Sequence, residues 1–126
     1  MIKKPEEKPA VSVRESAVKA ARIAFDKKAT DVVILDMRGL TSLTDYFIIC
    51  TAEADAHTKA IVDEIEMKML PEEKPWHIEG YQHLKWVLMD YVDFVVHVFT
   101  RETRDYYNIE RLWADAPVEK IESSDE

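Results

Sequence analysis

Glycine is nearly missing from this chain: there are two among 126 residues, Gly39 and Gly80. Cradles for a triphosphate are usually built on glycine-rich turns or backbone nests, so nucleotide chemistry has little to stand on. Cysteine is scarcer still, and the single Cys50 cannot form a bridge within the chain. That fits a reducing, cytoplasmic setting. No apolar run approaches the roughly 20 residues of a membrane span. The opening "MIKKPEEKPA" has lysines but no apolar stretch of the kind a secretory signal carries. Neither HExxH nor paired CxxC occurs, which removes the strongest metal signatures. Positive charge is also short, with 17 Lys plus Arg against 25 Asp plus Glu and a formal net charge of -8. Without a local basic patch such a surface repels phosphate backbones, so direct sequence-specific nucleic-acid binding is disfavoured. A basic protein, by contrast, is attracted and steered towards it.

What is present suits one ordinary domain. A hydrophobic content of 47% supplies a core without a metal or disulfide staple. Residues 1–10 are charged, proline-bearing and aperiodic, and read as a flexible lead-in. From Val11 to about Lys28, Val18, Ala21 and Phe25 recur at helical spacing. "DVVILDM" and "YFIICT" are β-rich runs separated by the turn chemistry of "RGLTSLTD". "EADAHTKAIVDEIEMKML" returns to helical spacing, with Asp55 as its expected N-cap. "WHIEG" reads as a short strand. Trp86–Met89 and Phe94–Phe99 are strand runs joined so tightly through Asp90–Asp93 that an antiparallel hairpin is forced. "RETRDYYNIERLW" is helical in pattern, with Tyr106, Ile109 and Trp113 expected to point inward.

The segment from Ala114 holds five acids and one lysine, a net of -4 over 13 residues, and reads as an acidic flexible tail. No internal repeat is visible. The pattern predicts a single α/β domain over residues 11–113. Its mixed sheet of about five strands should be flanked by helices, both faces covered.

Candidate chemistry meets a plainer reading at each residue. His97 lies between Val96 and Val98 with no nucleophile evident beside it, which favours a hydrogen-bonded structural histidine over a general base. Cys50 ends an apolar run, where thiols behave as small hydrophobes. His77, Glu79 and His83 are close in sequence, yet only the first two share strand-face spacing, and zinc wants three or four ligands. Asp31, Asp36 and Asp45 sit at strand edges, where carboxylates could hold magnesium for nucleotidyl transfer, but the glycine shortage favours turn and cap duty. The tryptophans Trp76, Trp86 and Trp113 are read as core from pattern alone, and any one of them on the surface becomes an anchor.

"TDYFIICT", the "EG" of Glu79 and Gly80, "WVLMDYVDFVVHVF" and "RDYYNIERLW" occur together in the order and spacing of the Iojap-related ribosomal silencing factors. The chain resembles that family from Val18 to Pro117. The resemblance implies a nucleotidyltransferase-like core without catalytic carboxylates, and hence a translation regulator rather than an enzyme, with no cofactor or metal. It implies binding to a basic protein of the large ribosomal subunit, number fourteen in that subunit's series, at the intersubunit face. Occupying that face blocks joining of the small subunit and represses translation under nutrient limitation. A homodimer when free is also implied.

Carried onto this sequence, the resemblance makes Trp86 the hydrophobic anchor and Asp90 the hairpin acid. Tyr91 takes the adjoining contact position and Glu79 is the acid of the "EG" pair. Leu88 joins Trp86 on one strand face by period-two alternation, and Asp93 joins the acids that would face basic groups. Three departures stand out. "EAD" at 53–55 replaces the usual Gly-x-Ser, Leu84 replaces a common glycine, and Val92 replaces the hairpin glycine. Valine resists positive φ, so a different turn type is expected there. Two other classes remain: a small nucleotidyltransferase-like nucleotide-binding enzyme resting on the strand-edge acids, and a dimerisation module with a different client.

Overall fold

A computed structural model describes residues 10–122. Apart from Ala10, the expected lead-in lies outside the described residues, as do the last four residues of the expected tail. The elements in chain order are α1 (Ala10–Asp26), β1 (Thr30–Asp36), β2 (Tyr46–Ala52), α2 (Asp55–Met69), β3 (His77–Glu79), β4 (Trp86–Asp90), β5 (Phe94–Thr100), α3 (Arg101–Tyr107), α4 (Ile109–Leu112) and β6 (Val118–Lys120). The six strands form one mixed sheet in the order β3-β4-β5-β2-β1-β6. Among the described residues only β2 and β5 run parallel. The pairs β1–β2, β1–β6, β3–β4 and β4–β5 are antiparallel.

Alternation along each strand divides the sheet into two unlike faces. One packs under α1 and α2. On α1 the stripe is alanine, at positions 17, 20, 21 and 24, all fully buried, and this spacing lets the helix approach the sheet closely. Ile61, Val62, Ile65 and Met69 of α2 join them over Ile48, Cys50, Val87, Met89, Val96 and Val98. The second face has its own cluster, centred on Val33, Leu35, Met37, Ile49 and Phe99 with Ile109 and Ala116. Its cover comes from α4 and the chain after it, over the β1–β2 half. The β3–β4 half keeps partly exposed side chains, so the expectation that both faces are covered holds for only one of them.

Four further corrections follow. A sixth strand lies inside the segment expected to be a flexible tail: Val118–Lys120 pairs with β1, and Ala116 and Ile121 are buried. Burying these two apolar side chains and capping the β1 edge outweighs the segment's charge. Tyr106, expected inward, is 80% exposed, because Asn108 turns left-handed (φ 45) and breaks the helical register between α3 and α4. Asp55 does not cap α2. Ala54 holds the cap position without a side-chain bond, and Asp55 instead pairs with Lys85 Nζ at 2.9 Å. The Glu53 N–H donates to His57 Nδ1 at 2.9 Å, so a histidine does the work at the helix start where the family's Gly-x-Ser is missing. Finally, Val92 does take a positive φ of 73, and Leu84 one of 64. With two glycines available, left-handed turns fall to residues that pay a steric cost for them.

Candidate partner-docking face

The β3–β4–β5 register gathers most of the expected contact residues on the less covered face. Glu79 pairs with Leu88 and Leu88 with His97 in one cross-strand row, while His77 pairs with Asp90 and Asp90 with Val95 in the next. Trp86 lies opposite Phe99. Trp86, Leu88, Asp90 and Glu79 therefore share a face, as period-two alternation requires.

Trp86 is half-buried rather than free. Its ring stacks on Phe99 with centroids 4.8 Å apart and leans on Tyr107 at 4.9 Å. Its indole N–H donates to His97 Nδ1 at 3.1 Å. His97 is only 4% exposed, and burial drives its pKa down to about 3. The imidazole is consequently neutral at physiological pH, a structural acceptor beneath the tryptophan. Gly80 sets where this strand can lie, since a Cβ built there would meet the Trp86 carbonyl oxygen at 2.1 Å.

The acids are positioned by local bonds. His77 Nε2 lies 2.9 Å from Glu79 Oε2, and its Nδ1 lies 3.9 Å from Asp90 Oδ2, placing one imidazole between two carboxylates. Asp90 Oδ1 accepts from the Val92 N–H at 2.8 Å, and Asp93 is exposed on the same turn. Tyr91 is the exception among the expected contacts. It is 5% exposed and belongs to the helix-covered core, stacked on Phe94 at 4.8 Å. Burial, with Glu66 and Glu73 nearby, pushes its phenol pKa up. Strand alternation carries it with Val87 and Met89 to the helix-covered side, so it offers the Asp90 face no side-chain surface.

Sequence reasoning missed two members of this region. His77, weighed only as a metal ligand, organises the acids. Trp76 is 72% exposed at the sheet corner, and a tryptophan placed between Pro75 and a three-residue edge strand was the available signal. The other candidates disperse. Cys50 is buried, and burial raises its thiol pKa to about 12. Asp31 pairs with Arg101 at one end of β1, while Asp36 pairs with Arg38 at the other, the guanidinium holding its carboxyl below the usual range. Among the described residues no three His, Cys, Asp or Glu side chains gather as a metal would need, and no helix is long and apolar enough to cross a membrane. Trp113 packs edge-on to Phe47 at 6.2 Å.

The family model described as "Ribosomal silencing factor during starvation" matches residues 10–126. The chain belongs to the ribosomal silencing factor family. Within it, the chain is similar to the ribosomal silencing factor of Bacillus subtilis, with 42% identity over 106 residues covering 82% of this chain and 88% of that one. It is also 37% identical over 108 residues to the chloroplastic Iojap protein of Zea mays, covering 82% of this chain and 46% of the maize protein. A crystal structure from Chromobacterium violaceum superposes with a TM-score of 0.79 at 30% identity, covering 90% of this chain and 96% of that one. One from Bacillus halodurans gives 0.71 at 36% identity, covering 85% and 99%.

Proposed function

We propose that this face binds the basic protein number fourteen of the large ribosomal subunit and thereby blocks joining of the small subunit. The observation that carries the reading is the grouping of Trp86, Leu88, Asp90 and Glu79 on one partly uncovered sheet face, in a member of this family. Trp86 and Leu88 supply apolar surface for burial. Glu79, Asp90 and the neighbouring Asp93 complement basic groups, contributing register and encounter rate more than raw affinity. A standard interface of about 1,200 to 2,000 Å² is sufficient for specific binding. No bond chemistry is needed, since two partners claiming one surface exclude each other, and occupancy scales with concentration over Kd. In this reading the protein represses translation when nutrients are short, is not an enzyme, works in the cytoplasm and is a homodimer when free.

Co-sedimentation with isolated large subunits across a salt series tests the pairing, because an acidic-on-basic contact weakens as salt screens it. Leu88→Arg places a cation and bulk on the face and should abolish both sedimentation and the block on subunit joining. Trp86→Ala should weaken both. If Leu88→Arg still blocks joining as the unaltered protein does, the contact surface lies elsewhere.

A further inference from the structure

The tryptophan with the most surface left to bury is not the one in the half-buried row. Trp86 has already spent its indole N–H on His97 and its ring on Phe99 and Tyr107. Docking onto Trp86 buries only what remains of a half-buried ring. Trp76 is 72% exposed, and an indole of this kind can bury roughly 150–250 Å². Such exposure of the largest side chain is unusual for a ring whose removal from water is favourable.

Trp76 is also held in place. Its backbone N–H donates to the Asp90 carbonyl at 2.7 Å, extending the β3–β4 pairing by one residue. Its ring meets that of His77 edge-on with centroids 4.8 Å apart, and His77 is bonded to Glu79. The indole therefore stands fixed at the end of the acid-bearing rows. Beyond Asp90 the turn presents Val92, 55% exposed at its left-handed φ of 73. There the Asp93 N–H bonds to the Tyr91 carbonyl at 2.9 Å. Strained backbone of this sort persists where the surroundings enforce it. The corner thus alternates apolar and acidic groups: Trp76, Asp90, Val92, Asp93.

We propose that Trp76 is a second anchor for the same basic partner, receiving an Arg- or Lys-bearing segment at the sheet corner. A cation over the indole face gains from the ring quadrupole, and the His77 ring that meets the indole lies 2.9 Å from Glu79 Oε2 and 3.9 Å from Asp90 Oδ2, so negative charge stands close to the position it takes. Phosphate is the wrong occupant, since these carboxylates repel it. The inference rests on the function proposed above and adds to it the residue through which the contact extends past the sheet face.

The full chain is titrated against isolated large subunits, alongside Trp76→Ala, Trp76→Phe and Leu88→Arg. Because Trp76 is exposed, Trp76→Ala should unfold at the same temperature as the unaltered protein. Its affinity should fall roughly tenfold, within the range of anchor residues, and Trp76→Phe should recover much of the loss. If the unaltered chain binds, Leu88→Arg does not, and Trp76→Ala binds as well as the parent, the second anchor is refuted while the docking face stands. If the unaltered chain fails to bind large subunits at all, both fall together. Trp76-dependent binding to protein-free ribosomal RNA would overturn the assignment to a basic protein. A Trp76→Ala variant that merely becomes monomeric, with subunit binding intact, would assign the corner to self-association and overturn it too.

Discussion

The indole N–H of Trp86 and Nδ1 of His97 are joined at 3.1 Å across the β4–β5 register, and this bond decides where the imidazole carries its proton. With Nδ1 accepting, the hydrogen sits on Nε2, which is buried without a hydrogen-bond partner among the described residues. The histidine is kept for the tryptophan above it.

Stability should depend on pH through this residue. The folded-state pKa of His97 is lowered from 6.5 to about 3, so between those values the unfolded chain binds a proton that the folded chain refuses. Stability contributed by the neutral ring is intact above pH 6.5 and is lost as pH falls towards 3, at up to about 1.4 kcal/mol per pH unit. His97→Gln does not titrate, and its urea-unfolding free energy should fall less steeply between pH 7 and 4 by close to one proton. Parallel curves for variant and parent would contradict the buried neutral assignment.

The two glycines should respond unequally to alanine. At Gly80 the new Cβ meets the Trp86 carbonyl oxygen at 2.1 Å, whereas at Gly39 nothing lies within 4 Å. Both hold positive φ, so Gly39→Ala carries only that conformational penalty, about 1 kcal/mol. Gly80→Ala must also displace backbone and should cost more than about 2 kcal/mol, weakening subunit binding with it. Thermal unfolding of both variants checks the order, and equal losses would show that the close approach is absent.

Val92→Gly should stabilise the protein. The valine is more than half exposed, so little burial is lost, and the strain of its left-handed backbone is worth about 1–3 kcal/mol. Glycine loses more entropy on folding, offsetting about 0.5–1 kcal/mol of this. These terms leave a rise in unfolding free energy of about 0–2.5 kcal/mol, and a gain of about 1 kcal/mol is expected. A less stable variant would mean that the turn is not strained.

Arg104 ties α3 to the sheet. Its guanidinium bonds to both Glu110 oxygens at 3.1 and 2.6 Å, to the Asp31 carbonyl at 2.7 Å and to Thr51 Oγ1 at 2.8 Å. Arg104 is almost fully buried and Glu110 partly so. A lysine cannot reproduce this fork, so Arg104→Lys should lose about 3 kcal/mol in denaturant unfolding. A loss under about 1 kcal/mol, the level of an exposed pair, would show that the network is not a unit.

Much of this architecture is written in periodicity. The α1 stripe, the β-rich runs at 31–37 and 46–51, and the hairpin at 86–99 are local patterns whose side chains have one sensible direction to point. Period-two alternation alone put Trp86, Leu88 and Asp90 on a common face, because a strand has only two. That Tyr91 belongs to the opposite face escaped the family-based expectation, although the same alternation sets residue 91 beside Val87 and Met89 in the helix-covered core. Val118–Lys120 escaped too, since nothing in a stretch so charged announces that the edge of β1 awaits a partner.

Composition, spacing and alternation were thus enough for the class of fold, the acidic character and the common face of Trp86, Leu88 and Asp90, because each depends on neighbours within a few residues. The depth of Trp86 under Tyr107, its bond to His97, the closeness of Gly80 and the exposure of Trp76 depend on groups brought together across strands. Long-range register and packing govern those distances, and no local pattern encodes which side chain another element will reach.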